Sequence, residues 1–187
     1  YTNEILTGDI HTANQLASGV DTRSQAKTFI YAFLYGAGDA KIGSIVGGTA
    51  RDGKRLKEKF LTNTPSLRDL RERVSVASRR GYIRGLDGRR VAVRSEHAAL
   101  NTLLQSAGAI VMKKALCLLD QYATLWGLDY KFVGNIHDEI QTEVKESEVD
   151  TFGRLAVSCM EAAGQHFNLN CPLAGEYQIG DNWSETH

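Results

Sequence analysis

Along the first 80 residues apolar positions recur three and four apart, the period of amphipathic helices, and the pattern is sharpest over residues 22–36. At about 100° per residue, Ala26, Phe29, Ile30 and Phe33 collect on one side of such a helix. Arg23, Lys27, Tyr31 and Tyr35, each four apart, form a slowly drifting stripe on the other. Thr22 followed by Gln25 is a Thr-x-x-Gln capping box and Gly36 is a helix stop, so the segment has a start, a buried side and an end. The same period predicts a short helix after Asp39, one over residues 51–61, and one over residues 64–80 with Pro65 at its first helical position.

Beyond Gly81 the pattern changes. Residues 82–84 and 90–93 flank a Gly-containing turn and read as a hairpin. A long helix is expected over residues 95–126, strands over 131–136 and 140–144 meeting at His137-Asp138-Glu139, a helix over 147–165, and a closing strand over 172–179. Helices first and interleaved strands and helices afterwards predict an α+β chain, with a helical lobe at residues 1–80 on an antiparallel α+β lobe at residues 81–187. There are no repeats, linkers or low-complexity segments. Residues 1–8 read as the tail of a helix, and with Tyr1 in place of Met the chain is expected to be a piece of a longer protein; residues 182–187 read as a polar terminus.

The composition, 42% hydrophobic and 24% charged over 187 residues, is that of an ordinary globular protein. No apolar run approaches the roughly 18 residues of a membrane span, and there is no basic-then-apolar leader. The expectation is a soluble, cytoplasmic protein without a membrane partner. Cys117, Cys159 and Cys171 lack CxxC spacing, which argues against a disulfide framework or a zinc cluster and for buried free thiols. The net charge of zero hides a segregation: residues 51–94 carry 14 Lys and Arg against 5 Asp and Glu, and residues 128–187 carry 3 against 11. The basic stretch suits either a nucleic-acid surface or a solvated helical face.

Three constellations carry chemistry. The stripe of two cations and two phenols offers a surface for a triphosphate with its sugar and base. The adjacent carboxylates of Asp138 and Glu139, at the turn of an otherwise apolar hairpin, are either an ordinary exposed loop or oxygen ligands for a hard cation such as Mg²⁺, which binds through one or two carboxylates plus substrate phosphates. His97, Asn101 and Gln105, with Gly108 continuing the line, put a polar stripe on an apolar helix. It faces either solvent or a ligand such as the minor groove, where amide groups can donate to purine N3 and pyrimidine O2 without reading sequence.

The order Arg23-x₃-Lys27-x₃-Tyr31-x₃-Tyr35-Gly36, then Asn101 to Gln105, then His137-Asp138-Glu139 within residues 133–141, resembles that of the family A (polymerase I type) DNA polymerases, and Asp9-Ile10-His11-Thr12 resembles a further segment of them. The wording of residues 28–31 and 98–108 is most similar to members from short-tailed T-odd bacteriophages. The resemblance implies helical fingers on the C-terminal part of the antiparallel-sheet palm of a right-hand polymerase, acting in DNA replication on primer-template DNA and deoxynucleoside triphosphates. His11, Arg23 and Lys27 would hold the triphosphate, with Lys27 also the proton donor to departing pyrophosphate. Tyr31 would stack near sugar and base; the family carries Phe or Tyr there, and Tyr implies acceptance of nucleotides lacking the 3′-hydroxyl. Tyr35 would close the templating site, and Asn101 and Gln105 would contact the minor groove of the nascent pair.

Asp138, assisted by Glu139, would ligate a pair of Mg²⁺ ions, and His137 would orient the primer end. Many basic residues between Arg51 and Arg94 would face duplex phosphates. Ala32 departs from the Gly common in the family and is expected to narrow the space against the template base. The partner Asp for the metals is expected upstream of Tyr1, with thumb and exonuclease regions also outside the chain. The fragment alone would then be inactive, dependent on its missing N-terminal part and open to a processivity factor. Two rivals share part of this pattern: a single-subunit phage-type RNA polymerase, against which stand Glu139 and the Asn101/Gln105 pair, and a noncatalytic nucleic-acid-binding half of a split polymerase.

Overall fold

Capping chemistry sets the first elements. In the computed structural model, which describes residues 2–186, α1 (Thr2–Thr7) leads into α2 (Ile10–Ser18), whose N-cap Asp9 accepts a hydrogen bond from the His11 backbone N–H. Tyr1 and His187, on which the terminus expectations bear, lie outside the described residues. Helix α3 (Arg23–Leu34) opens with both halves of the Thr22/Gln25 capping box. It closes with Gly36 at φ +78°: the Gly36 N–H reaches Phe33 O at 3.0 Å and the Ala37 N–H reaches Ala32 O at 2.9 Å, a Schellman pair that a left-handed glycine allows. There follow α4 (Asp39–Ser44), α5 (Ala50–Asn63) and α6 (Pro65–Ser78).

The apolar side of α3 packs as its spacing predicts. Phe29 and Phe33 meet Phe60 of α5 at ring-centroid distances of 5.2 and 5.3 Å, with Val20, Ile42 and Leu56 completing a buried cluster. Edge-on aromatic contacts of this kind add about 1 kcal/mol each to the area they bury. Ala32, expected against the template base, is half-buried and packs on this cluster. Helices α4 and α5 touch backbone to backbone: a Cβ on Gly53 would lie 1.9 Å from Asp39 O, and one on Gly43 1.9 Å from Thr49 O.

The hairpin of β1 (Tyr82–Arg84) and β2 (Arg90–Ala92) pairs Ile83 with Val91 and packs, with Val74 and Ala99, into a small cluster. A 3₁₀ turn over Glu96–Ala98 precedes the long α7 (Ala99–Leu125). The chain divides into two units, Tyr1–Leu104 and Gln105–His187. The division falls inside α7, because the β1–β2 hairpin and the first turns of α7 pack with α6, whereas the composition shift lies near Gly81. Residues Glu96–Leu125 are long and apolar enough, by length and composition alone, to cross a membrane.

In the second unit β3 (Tyr130–Ile136) pairs antiparallel with β4 (Glu139–Val144), from Tyr130 opposite Val144 to Ile136 opposite Glu139, with an irregularity between Phe132 and Gly134. Helix α8 (Val149–His166) buries Phe152, Leu155 and Cys159 against Leu119 and Ala123 of α7. The strand expected over residues 172–179 does not form. The segment lies along α8 by side-chain packing instead, Leu173 over Gly164 and Tyr177 over Gly153, with the Tyr177 hydroxyl donating to Asp150 at 3.1 Å. Apolar alternation suits such docking as well as a ladder, and Pro172 has no N–H to give. A short α9 (Trp183–Thr186) follows.

The thiols are free, and only Cys159 is buried; Cys171 is half-buried and Cys117 exposed. Six residues beyond Val111 at 100° each, Cys117 points away from the buried Val111, Ala115 and Leu119 row.

Candidate functional site

Within the first unit the packing of one side of α3 leaves the other side open. Arg23, Lys27, Tyr31 and Tyr35 are all exposed, the two tyrosines at 48% and 57%. Lys27 makes no hydrogen bond or ion pair among the described residues. Helix α2 runs beside α3 and adds His11, whose ring lies 6.5 Å from that of Tyr31. The Nδ1 of His11 is buried without a hydrogen-bonding partner among the described residues. A buried polar atom of this kind costs about 1–3 kcal/mol unless something supplies the bond.

Arg23 is the exception to this openness. Its Nε and Nη2 donate to Asp9 Oδ2 and Oδ1 at 2.6 and 3.1 Å. The Arg23 guanidinium, followed by the Thr12 hydroxyl, holds the Asp9 carboxyl far below the usual carboxylate range. Sequence reasoning singled out Arg23 and His11 but missed that Asp9 joins them; the signal available was its place in Asp9-Ile10-His11-Thr12.

At the far end of α3 a cleft of about 420 Å³ opens between the helix terminus and its neighbours, lined by Gly36, Gly38, Lys57, Arg71, His97 and Asn101 among others. Lys57 closes one side through an ion pair with Asp39 at 2.9 Å and a bond to Ala37 O at 2.6 Å. The Oδ1 of Asn101 is buried and lacks a partner among the described residues. So the structure brings the start of the polar stripe to the end of the cationic helix. Gln105 and Gly108 continue that stripe along α7 and are exposed. Of the 14 basic residues over 51–94 all but Lys57 are exposed, and Arg80 and Arg90 each lie over the Tyr82 ring, at 4.6 and 4.9 Å from its centroid.

In the second unit the acidic hairpin turns at His137, which takes φ +55° to make the tip. His137 and Asp138 are exposed, and Glu139 is half-buried. The Glu139 carboxylate accepts from the Trp183 indole N–H at 2.8 Å and from the Gln141 amide, and Thr186 bonds Gln141 at 3.3 Å. The C-terminal turn is therefore part of the hairpin's surroundings, which sequence reasoning missed because Trp183 lies 44 residues away. Among the described residues no group of three His, Cys, Asp or Glu is placed to enclose a metal. Asp138 and Glu139 are nonetheless the hard oxygen donors that Mg²⁺ prefers, on an accessible turn with room for phosphate and water ligands. The donor set fits the ion as a partial ligand set.

Comparison with known proteins finds relatives along the whole chain. The chain is 46% identical to the DNA-directed DNA polymerase of Enterobacteria phage T3 and 44% identical to that of Escherichia phage T7, over 100% of this chain and 30% of each relative. It is 27% identical to DNA polymerase I of Pseudomonas aeruginosa over 89% of this chain and 19% of that protein. The chain thus spans about a third or less of the length of these relatives. Its fold matches the POL domain of Pol1 from M. smegmatis, solved in complex with DNA primer-template and dNTP. That match has a TM-score of 0.76 at 23% identity, and covers 87% of this chain and 32% of the other. The model of DNA polymerase family A matches residues 6–185, a span that takes in the cationic helix and the acidic hairpin alike, and the chain belongs to that family.

Proposed function

We propose that residues 1–80 are the fingers and residues 81–187 the C-terminal part of the palm of a template-directed DNA polymerase. Its reaction is attack of a primer 3′-hydroxyl on the α-phosphate of a deoxynucleoside triphosphate, with release of pyrophosphate. The observation that carries this reading is the open face of α3, where Arg23, Lys27 and Tyr31 line up beside His11 of α2 while the opposite face is locked into the core. His11, Arg23 and Lys27 bind the triphosphate, Lys27 protonates the leaving pyrophosphate, and Tyr31 stacks near the sugar and base. Tyr35 closes the templating position, and Asn101 and Gln105 donate to the minor-groove edge of the new pair. The exposed arginines and lysines of residues 51–94 track duplex phosphates, with affinity that falls as salt rises.

Asp138 and Glu139 are the residues that would hold Mg²⁺, and His137 orients the primer end. The bound ion would supply charge neutralisation at the phosphates and ionisation of the attacking hydroxyl. A second ion and the partner Asp belong to a segment upstream of residue 1, so the 187 residues alone are silent. Closing α3 over a matched nucleotide completes the site, which makes nucleotide selection a conformational step.

Primer extension tests the reading. The full-length protein should extend a primed template, and Lys27→Ala and Asp138→Ala should each lower incorporation by orders of magnitude. The 187-residue chain alone should extend nothing, and synthesis by it would overturn the silent-fragment reading. Mixing it with a separately made upstream half separates a split enzyme, which regains synthesis, from a binding module, which shows only salt-sensitive DNA binding.

A further inference from the structure

Asp9 is the most heavily engaged carboxylate in the first unit. Its Oδ1 accepts from the His11 backbone N–H at 3.0 Å and from Arg23 Nη2 at 3.1 Å. Its Oδ2 accepts from the Thr12 hydroxyl at 2.8 Å and from Arg23 Nε at 2.6 Å. One side chain thus caps α2 and grips the first residue of α3, across 14 residues of sequence.

A guanidinium has five N–H donors in a fixed planar fork. The Asp9 grip uses Nε–H and one Nη2–H, the inner edge. Three donors remain, both on Nη1 and the second on Nη2, and they form the edge that matches a second oxyanion bidentately. An arginine on a helix surface ordinarily samples many rotamers, and ordering it on ligand binding costs about 0.5–1.5 kcal/mol. Here the carboxylate is itself fixed by two donors that are not Arg23, so the guanidinium is held before any ligand arrives. The grip also ties the frame of His11 to that of Arg23, because the same oxygen that bonds Arg23 Nη2 caps the turn bearing His11.

We propose that Asp9 is a positioning residue for nucleotide binding: it presents the outer edge of the Arg23 guanidinium to the triphosphate and registers His11 against it. This rests on the nucleotide-site reading given above. The opposing effect is electrostatic, since Asp9 also cancels a positive charge near a polyanion. The pair is exposed, with the two side chains 57% and 41% accessible, so that cancellation is screened by solvent and salt, whereas the orientation is not.

Asp9→Asn in the full-length polymerase separates the two roles. Asn caps a helix as well as Asp does and keeps an oxygen for the His11 N–H, but it lacks the charge and the second acceptor for the fork. The expected result is a KM for deoxynucleotide raised about fivefold or more, the loss of one oriented charge-assisted bond, with kcat and primer-template affinity little changed. In an Arg23→Lys background, where no fork can form, Asp9→Asn should add little. An unchanged or lower KM, above all one lowered further at low salt, overturns the proposal and makes Asp9 a brake. Full additivity with Arg23→Lys overturns it as well. If Arg23→Lys alone leaves the nucleotide KM untouched, the failure lies with the nucleotide-site reading.

Discussion

The backbone contact between α4 and α5 gives the sharpest test of how the first unit is held together. Gly53→Ala puts a methyl 1.9 Å from Asp39 O and 2.7 Å from the Gly43 N. No rotamer can relieve a clash with backbone, so α4 must move off α5 by more than about 1 Å to restore van der Waals distance. Overpacking of this kind costs about 1–3 kcal/mol, and a rigid backbone partner places this case at the upper end. Alanine returns about 1 kcal/mol of helix propensity, which leaves a net loss of about 2 kcal/mol. With a urea slope of about 2 kcal/mol/M, the midpoint of a urea titration followed by circular dichroism should fall by roughly 1 M. The shift also loosens Lys57 from Asp39 and from Ala37 O, the two bonds at the mouth of the cleft beside Asn101. A midpoint equal to or above that of the parent chain would refute the reasoning, because propensity would then outweigh a contact described as impassable.

Three further outcomes follow from single features. A Cβ on Gly108 meets nothing within 4 Å, so Gly108→Ala should stabilise the chain by up to about 1 kcal/mol and, if the polar stripe of α7 faces DNA as proposed, weaken primer-template binding by the full-length protein; equal DNA affinity in a filter-binding titration would remove Gly108 from the proposed surface. The folded-state pKa of Asp9 is depressed, chiefly by Arg23. Its contribution to stability is therefore present above the ordinary carboxylate range and lost only as pH falls through the lower folded value, and a carboxyl carbon titration by NMR should find it still ionised where exposed carboxylates are half-protonated. Trp183→Phe keeps the ring and removes the donor to Glu139, so carboxypeptidase should trim the C-terminus several times faster in this variant and in Glu139→Ala. Glu139→Gln, which can still accept, should stay near the parent rate, and equal rates in all three would dismiss the Trp183 bond.

What could be read from the sequence and what could not divide along a physical line. Periodicity and capping are local, so α3 with its Thr22/Gln25 box, its Schellman end at Gly36 and its two faces is legible in 15 consecutive residues. The His137 tip is legible for the same reason, two apolar runs leaving three residues to turn in, of which the turn uses His137 and Asp138 and Glu139 joins β4. The segment over 172–179 was misread because alternation reports two different sides and not what lies on them; a helix with glycines at positions 153 and 164 serves as a bed as readily as a neighbouring strand does. No uninterrupted apolar run spans Glu96–Leu125, because Gln105, Lys113 and Lys114 break it, although the helix as a whole is long and apolar on average.

Side-chain pairs between distant positions leave no such trace, and at this site they do the orienting. Arg23 is legible in the sequence as a cation on the polar face of α3, but which of its edges stays free depends on Asp9, 14 residues earlier. Glu139 was identifiable as the second acid of the tip, yet one of its oxygens is engaged by Trp183, 44 residues later. Asp138, on the exposed tip, makes no such bond among the described residues. The identity of these polar side chains is therefore a local property of this chain and their aim is a tertiary one. A substitution at Asp9 or Trp183 should accordingly alter function while leaving every recognisable motif residue in place.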